Sequence, residues 1–212
     1  MPTPVYDDAH LLDLIQDRRS VRVYQRQPVA PAQIERLLEA ARWAPSPHNA
    51  QPWRFVVIVN GATPHPQAVA LADAMAARWR EELARDGQDE PIINHRLARS
   101  RQRLLESPVL IIPCLDPAAI DRYPDPQRQS AEMTMAIQSI GSAIQNMLLM
   151  ARAMGLDSGW MCAPLFCPDV VCTVLSLDPQ LQPQALITIG YAIERPVPRA
   201  RHDLAELVVY YI

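Results

Sequence analysis

A chain of 212 residues, 49% of them apolar, is long enough to bury one sizeable core and is expected to form a single domain over its whole length. Its formal net charge of −3 gives no basic excess for nucleic acid or an anionic membrane surface, and no apolar stretch is long enough to span a bilayer. The first eight residues lack a basic segment followed by an apolar run, so no secretory leader is expected and the cytoplasm is the expected setting.

In chain order, Asp7 and Asp8 are placed to cap a helix with Leu11, Leu12, Leu14 and Ile15 on one face, ending near Arg18. Residues 20–24 alternate Val21 and Val23 against Ser20, Arg22 and Tyr24, as a short extended segment would. Pro31 suits a helix start, and Ile34, Leu37, Leu38 and Ala41 share a face. Pro45, Pro47 and Pro52 exclude regular structure from the loop that follows. Residues 55–59 read as a buried strand. A helix over 66–85 carries Leu71, Met75 and Trp79 at spacings of four and stops at Asp86-Gly87. Pro91 opens a further helix whose Arg96, Arg99, Arg101 and Arg103 give it the look of a solvent-facing cover.

Residues 109–115 are a second buried strand, and 116–129, with three prolines, a surface loop. The longest helical stretch, 130–154, is apolar nearly all round in its middle and must therefore be buried on most faces, with a second subunit expected to supply part of that burial. Gly155 caps it. A short extended piece over 158–163, a helix within 164–177, a third apolar strand over 184–192 and a strand-like tail over 204–212 complete the reading; the tail would need a sheet edge to join.

Three polar constellations stand out. Arg18, Arg19, Ser20 and Arg22 gather guanidinium forks around a hydroxyl, a combination suited to a phosphate. Ser46, Pro47, His48 and Asn49 hold a hydroxyl, an imidazole and an amide on a proline-stiffened backbone. Arg199 and Arg201 lie at alternating spacing near the other end of the chain and are placed to close the same anion site. All 20 positive side chains are arginine, the residue for planar, bidentate recognition of such groups. The four cysteines match neither a zinc spacing nor a Cys-x-x-Cys pair, so packed thiols and no metal are expected. There is no Gly-x-Gly-x-x-Gly or P-loop pattern, and no convincing catalytic triad or carboxylate pair.

With these residues in view, the chain resembles the nitroreductase family of flavoproteins. Arg18-Arg19-Ser20-Val21-Arg22 resembles that family's FMN-binding signature, Ala44-Pro45-Ser46-Pro47-His48-Asn49-Ala50-Gln51-Pro52-Trp53 its second, and Gly155-Leu156-Asp157-Ser158-Gly159-Trp160 with Met161-Cys162-Ala163 its third. A narrower likeness, carried by residues 75–83, 123–125, 140–145 and 165–171, is to the carboxy-terminal domain of the bifunctional γ-glutamyl ligase of deazaflavin-coenzyme synthesis, although the ligase domain itself has no counterpart here.

The resemblance implies an α+β fold, a central mixed or antiparallel sheet flanked by helices, in an intertwined homodimer with FMN at the interface. It places Arg18, Ser20, Arg199 and Arg201 on the phosphate, Arg19 at the ribityl chain, and Arg22 as electrostatic support of the reduced ring. Ser46, Pro47, His48 and Asn49 would come from the other subunit, and Met161, Cys162 and Ala163 would pass the flavin edge. Arg78 is the candidate from the helix after the first strand. The implied activity is ping-pong hydride transfer from NAD(P)H through FMN to an electron-poor organic acceptor such as a nitroaromatic or quinone. The alternatives are a specialised reductase of a deazaflavin coenzyme precursor, with a mouth framed by Tyr123 and Trp79, and a non-enzymatic flavin-binding sensor or carrier. A nucleic-acid module built on residues 18–26 and the arginine helix is disfavoured by the acidic net charge.

Overall fold

A computed structural model describes residues 7–210. At its centre is a small antiparallel sheet in the order β1-β2-β5-β3, formed by Trp53–Val59, Val109–Leu115, Leu186–Gly190 and Asp157–Met161, with the two-residue β4 (Gln182–Pro183) pairing against β2. All seven residues of β2 and all five of β5 are buried, as central strands covered on both faces require. The fold is thus α+β with a helix-flanked antiparallel sheet, as the sequence implies.

One face of the sheet is covered by α2 (Pro31–Arg42) and α5 (Pro126–Ala153). Ile34, Leu37 and Ala41 of α2 pack with Ile140, Ala143, Ile144, Met147 and Ala151 of α5 over Ile111, Ile187 and Ile189. The other face meets α3 (Pro66–Arg85) and α6 (Pro168–Val174), with Leu71, Ala72 and Val171 against Leu110, Ile112 and Leu186. Each fully buried Leu or Ile contributes about 1.5–3 kcal/mol of burial. α4 (Glu90–Glu106) runs back along α3, and its Ile93 and Leu97 close a third cluster with Leu83. Two remaining helices, α1 (Asp8–Asp17) and α7 (Leu204–Leu207), lie near the chain ends.

α1 starts at the expected cap, Asp7 accepting from the His10 N–H, but buries none of its residues: Leu11 and Leu12 are 52% and 53% exposed. Several expectations are corrected. β1 is an edge strand, only partly buried, because nothing pairs with its outer side among the described residues. In the segment 20–24 the inward residues are Val21 and Tyr24, with Val23 exposed, since the segment makes isolated bridges to two different strands and the simple alternation breaks between them. α5 begins four residues early, at Pro126, where Asp125 caps it by accepting from the Arg128 N–H. α4 is more than a cover, because Leu104 enters the main sheet core. The extended piece after Gly155 ends at Met161; Ala163 already belongs to a 3-10 turn. The tail is a helical turn followed by exposed backbone through Tyr210, and its last two residues lie outside the described ones. Among the described residues no helix is long and apolar enough to cross a membrane.

Candidate functional site

The site is organised where α1 runs into the outer edge of β3. Arg18 leaves helical geometry (φ −60°, ψ 131°), and the chain turns along the strand. Ser20 bridges Ser158 in parallel, and the Val21 N–H donates to the Ser158 carbonyl at 2.9 Å. Three residues on, the Tyr24 hydroxyl donates to the Val21 carbonyl at 2.9 Å and lies 2.8 Å from Thr188 Oγ1, while the Gln25 N–H donates to the Tyr191 carbonyl at 2.7 Å. Burial keeps the Tyr24 hydroxyl far above the usual phenol range, so it acts as a neutral strut. With both ends stitched down, the residues between them, Arg22 and Val23, are held outward.

A carboxylate-centred network draws the other chain end to the same place. Asp17 Oδ2 accepts from Arg152 Nε at 2.5 Å, Asp17 Oδ1 accepts from Arg195 Nη1 at 3.0 Å, and Arg195 Nε donates to the buried Asp157 at 3.1 Å. Arg195 also donates to the Asp17 carbonyl. The hydrogen bonds from Arg195 and then Arg152 hold the Asp17 carboxyl below its ordinary range. This network ties together the end of α1, the end of α5, the start of β3 and the segment after β5.

The result is a convergence of cations. Burial first, then the nearby Arg201 and Arg19 guanidiniums, push the Arg18 guanidinium below its usual range. Among the described residues none of these three has a carboxylate partner. Like charges gathered without counter-charge form a site for a multiply charged anion. Arg19 itself turns back to the Gln16 and Arg18 carbonyls and caps the end of α1, so its fork is partly occupied. Ser20 and Arg199 are exposed.

Arg22 joins a second cation group. Arg103 of α4 is lowered by burial and then by Arg22 and Arg99. Arg103 lines a cavity of about 430 Å³ between α3, α4 and the exit of β3, together with Met75, Trp79, Met161 and Ala163. Met161 and Ala163 are therefore brought to the cavity, while Cys162 between them points out and is exposed. Arg78 also lines the cavity, but its guanidinium is paired with Asp169 at 2.6 Å. Tyr123 stands apart from this mouth, under the Arg128 guanidinium at 5.2 Å.

The proline loop lies elsewhere. His48, Asn49 and Gln51 all have positive φ (54°, 55° and 47°), and Ser46 Oγ accepts from the Gln51 N–H at 3.0 Å. Three non-glycine residues in the left-handed region within four positions store about 1–3 kcal/mol each. The loop feeds β1 at Trp53, opposite Leu115 at one end of β2, whereas Ser20 bridges the start of β3 at the other end of the far edge. Four strand spacings across and six residues along put them about 28 Å apart within one chain. One protomer thus brings Arg18, Arg19, Arg201, Ser20 and Arg22 to one region but leaves Ser46, Pro47, His48 and Asn49 at the diagonal corner of the sheet.

Sequence reading missed Arg103 and the Asp17–Arg195–Asp157 network. Arg103 sits beside the buried stripe Ile93, Leu97, Leu104, which was the available signal that it flanks the interior. Cys114, Cys167 and Cys172 are packed thiols as expected, and no group of metal-binding side chains occurs among the described residues.

Known proteins match this chain along most of its length. The family model described as the nitroreductase family matches residues 15–191. An NADH dehydrogenase of Thermus thermophilus is 30% identical over 200 residues, covering 91% of this chain and 92% of that protein. A 5,6-dimethylbenzimidazole synthase of Rhodospirillum rubrum is 30% identical over 194 residues, covering 92% of this chain and 84% of the relative. Among solved structures, one assigned as a nitroreductase in complex with FMN, from Desulfovibrio desulfuricans, has a TM-score of 0.73 at 27% identity and covers 98% of this chain and 99% of its own.

Proposed function

The chain belongs to the nitroreductase family, and from that premise we propose that it is an FMN-dependent oxidoreductase, a single domain working as a homodimer, that passes reducing equivalents from NAD(P)H to an electron-poor organic acceptor. The observation that carries this reading is that Arg18, Arg19 and Arg201, from opposite ends of the chain, lie within reach of one another's charge and have no carboxylate partner among the described residues. That donor set suits the phosphate of FMN, with Arg199 added from the exposed tail. Bound FMN supplies the hydride chemistry, accepting from the nicotinamide and delivering to the acceptor.

The residues of the chain do the rest. Arg22, fixed between Val21 and Tyr24, supplies positive charge where negative charge gathers during reduction. Met161 and Ala163 form the apolar wall at the exit of β3, with the exposed Cys162 contributing its backbone between them. Ser46, Pro47, His48 and Asn49 reach the site from the partner protomer, which accounts for their distance from it within one chain. The open faces of α1 (Leu11, Leu12, Ile15) and of the tail (Leu204, Leu207) are the surfaces a partner would cover; covering the exposed half of α1's three would contribute about 0.7–1.5 kcal/mol each.

A second reading, a specialised reductase of a deazaflavin coenzyme precursor, draws on the narrower sequence likeness and on the relative named as a synthase, which shows that chains of this kind are named for more than one chemistry. Spectra decide the main proposal. Purified protein is expected to be yellow, to release FMN on denaturation, to bleach with NADH or NADPH and to recover colour with a quinone or nitroarene. Protein without flavin that gains none on incubation with FMN sinks it. Flavin that binds but never bleaches with NADH or NADPH points to a sensor or carrier instead.

A further inference from the structure

The cavity beside Arg103 has a polarity of its own. Arg101 Nε donates to Asp73 at 2.7 Å and Arg80 Nη2 donates to Asn94 at 2.5 Å, which fixes the antiparallel register of α3 and α4. In that register Arg103 stands level with the turn of α3 just before Asp73. Glu82 and Asp86, which also line the cavity, lie towards the other end of α3. At the rise of an α-helix, Asp86 is about 20 Å along the axis from the level of Arg103. The cavity is therefore a groove, cationic next to the exit of β3, apolar along Met75 and Trp79, and acidic at its far mouth.

Its cationic end is uncompensated. Arg78 is neutralised by Asp169 and Arg101 by Asp73, but Arg103 has no ion-pair partner among the described residues. Arg103 is half buried, and its nearest charged neighbours, Arg22 and Arg99, have its own sign. A half-buried cation at one end of a groove with apolar walls, without a carboxylate partner among the described residues, is arranged to receive an anion. Glu82 and Asp86 would repel the same anion in the reversed orientation and so set the direction of entry.

We propose that this groove binds an aromatic redox partner carrying a carboxylate or phosphate, its ring along Met75 and Trp79 and its anionic group on Arg103. The inference rests on the flavin-enzyme reading for its redox role, and it makes Arg103 a specificity-determining residue. The shared chemistry is the anion; it belongs either to the acceptor or to the phosphates of the nicotinamide donor, and the structure favours the acceptor because Glu82 and Asp86 at the far mouth would repel a donor whose several phosphates extend beyond Arg103.

The protein as purified is titrated calorimetrically with benzoate and with benzyl alcohol, and turned over with 4-nitrobenzoate and with nitrobenzene. Benzoate is expected to bind and benzyl alcohol not, and 4-nitrobenzoate to be preferred about tenfold in kcat/KM, the size of one charge-assisted hydrogen bond at a half-exposed arginine. Arg103→Ala is expected to abolish both preferences, bringing kcat/KM for 4-nitrobenzoate down to the level of nitrobenzene in the same variant. Arg103→Lys is expected to restore part of the preference, and Arg103→Gln serves if the alanine variant does not fold. The inference is overturned if wild type binds benzoate no better than benzyl alcohol, if Arg103→Ala slows both acceptors equally, or if its loss falls on the NADPH step alone. Absence of flavin would defeat the enzyme reading, while the benzoate titration would still decide the groove.

Discussion

Gly159 is where a single methyl group tests whether the arginine segment is held in place by β3. A Cβ built there would lie 2.4 Å from the Val21 carbonyl oxygen and 2.7 Å from Thr188 Oγ1. Ordinary contact needs about 3.4 Å, so Gly159→Ala must move the Val21 backbone or β3 by close to 1 Å. The Val21 carbonyl cannot yield cheaply, because Val21 is 1% exposed, its N–H is bonded to Ser158, and its carbonyl accepts from Tyr24. Overpacking of this kind costs about 1–3 kcal/mol. For a chain of this size each kcal/mol lowers Tm by about 2–4 °C, so a fall of about 2–12 °C is expected. Because the displaced residues lie between Ser20 and Arg22, flavin retention should fall in the same variant. Thermal melts followed at a tryptophan signal, together with the flavin-to-protein absorbance ratio, read both effects. A Gly159→Ala protein that melts within 1 °C of wild type and keeps its full flavin would show that the segment is not seated on β3 as described.

Replacing Arg201 with Ala should weaken FMN retention, by about 10-fold to 100-fold for the loss of a charge-assisted phosphate contact, measured by equilibrium dialysis; full flavin after purification contradicts the phosphate role. Arg22→Ala should instead keep its flavin and slow the reductive half-reaction in stopped-flow, and an unchanged rate counts against its electrostatic role. Asp17→Asn removes a carboxyl whose folded pKa lies below its unfolded value, so its contribution is present at neutral pH and lost as pH falls through the folded value. The stability gap between wild type and Asp17→Asn, about 0.4–2 kcal/mol for two partly exposed pairs, should therefore be present at pH 6 and narrow once pH falls below the ordinary carboxyl value of 3.8; a gap that widens on acidification refutes the assignment. Burial pushes Cys114 up to about 12 and raises Cys167 and Cys172, whereas Cys162 is exposed. A thiol reagent at pH 8 should modify Cys162 alone in the folded protein, and rapid modification of a second cysteine would show that the core opens.

Local signals carried most of the helices. Asp7, Pro31 and Pro66 mark helix starts that the structure keeps, and Asp86-Gly87 and Gly155 mark stops, with Gly87 and Gly155 at φ 72° and 75°. These are short-range effects of caps and backbone sterics, legible in a few consecutive residues. Strand order, the edge position of β1 and the two-residue β4 were not legible, because pairing joins residues far apart in sequence. The break between Val21 and Tyr24 escaped for a related reason: the segment bridges Ser158 at one end and Ala192 at the other, and two partners impose two facings.

The sequence alone determined which residues could bind an anionic cofactor, since guanidinium forks and a hydroxyl have that chemistry wherever they stand. Only the tertiary structure decided which of them meet. Arg18 reaches Arg201 because Asp17, Arg152, Arg195 and Asp157 tie four distant segments together. Arg103 becomes a groove residue because α4 folds back on α3 and turns it towards the exit of β3. Residues 46–49 are left at the far corner because the register of β1 on β2 puts them there. Side-chain chemistry is a property of each residue, but the distance between charges is set by the path of the whole chain, and it is that distance which turns like charges into a binding site.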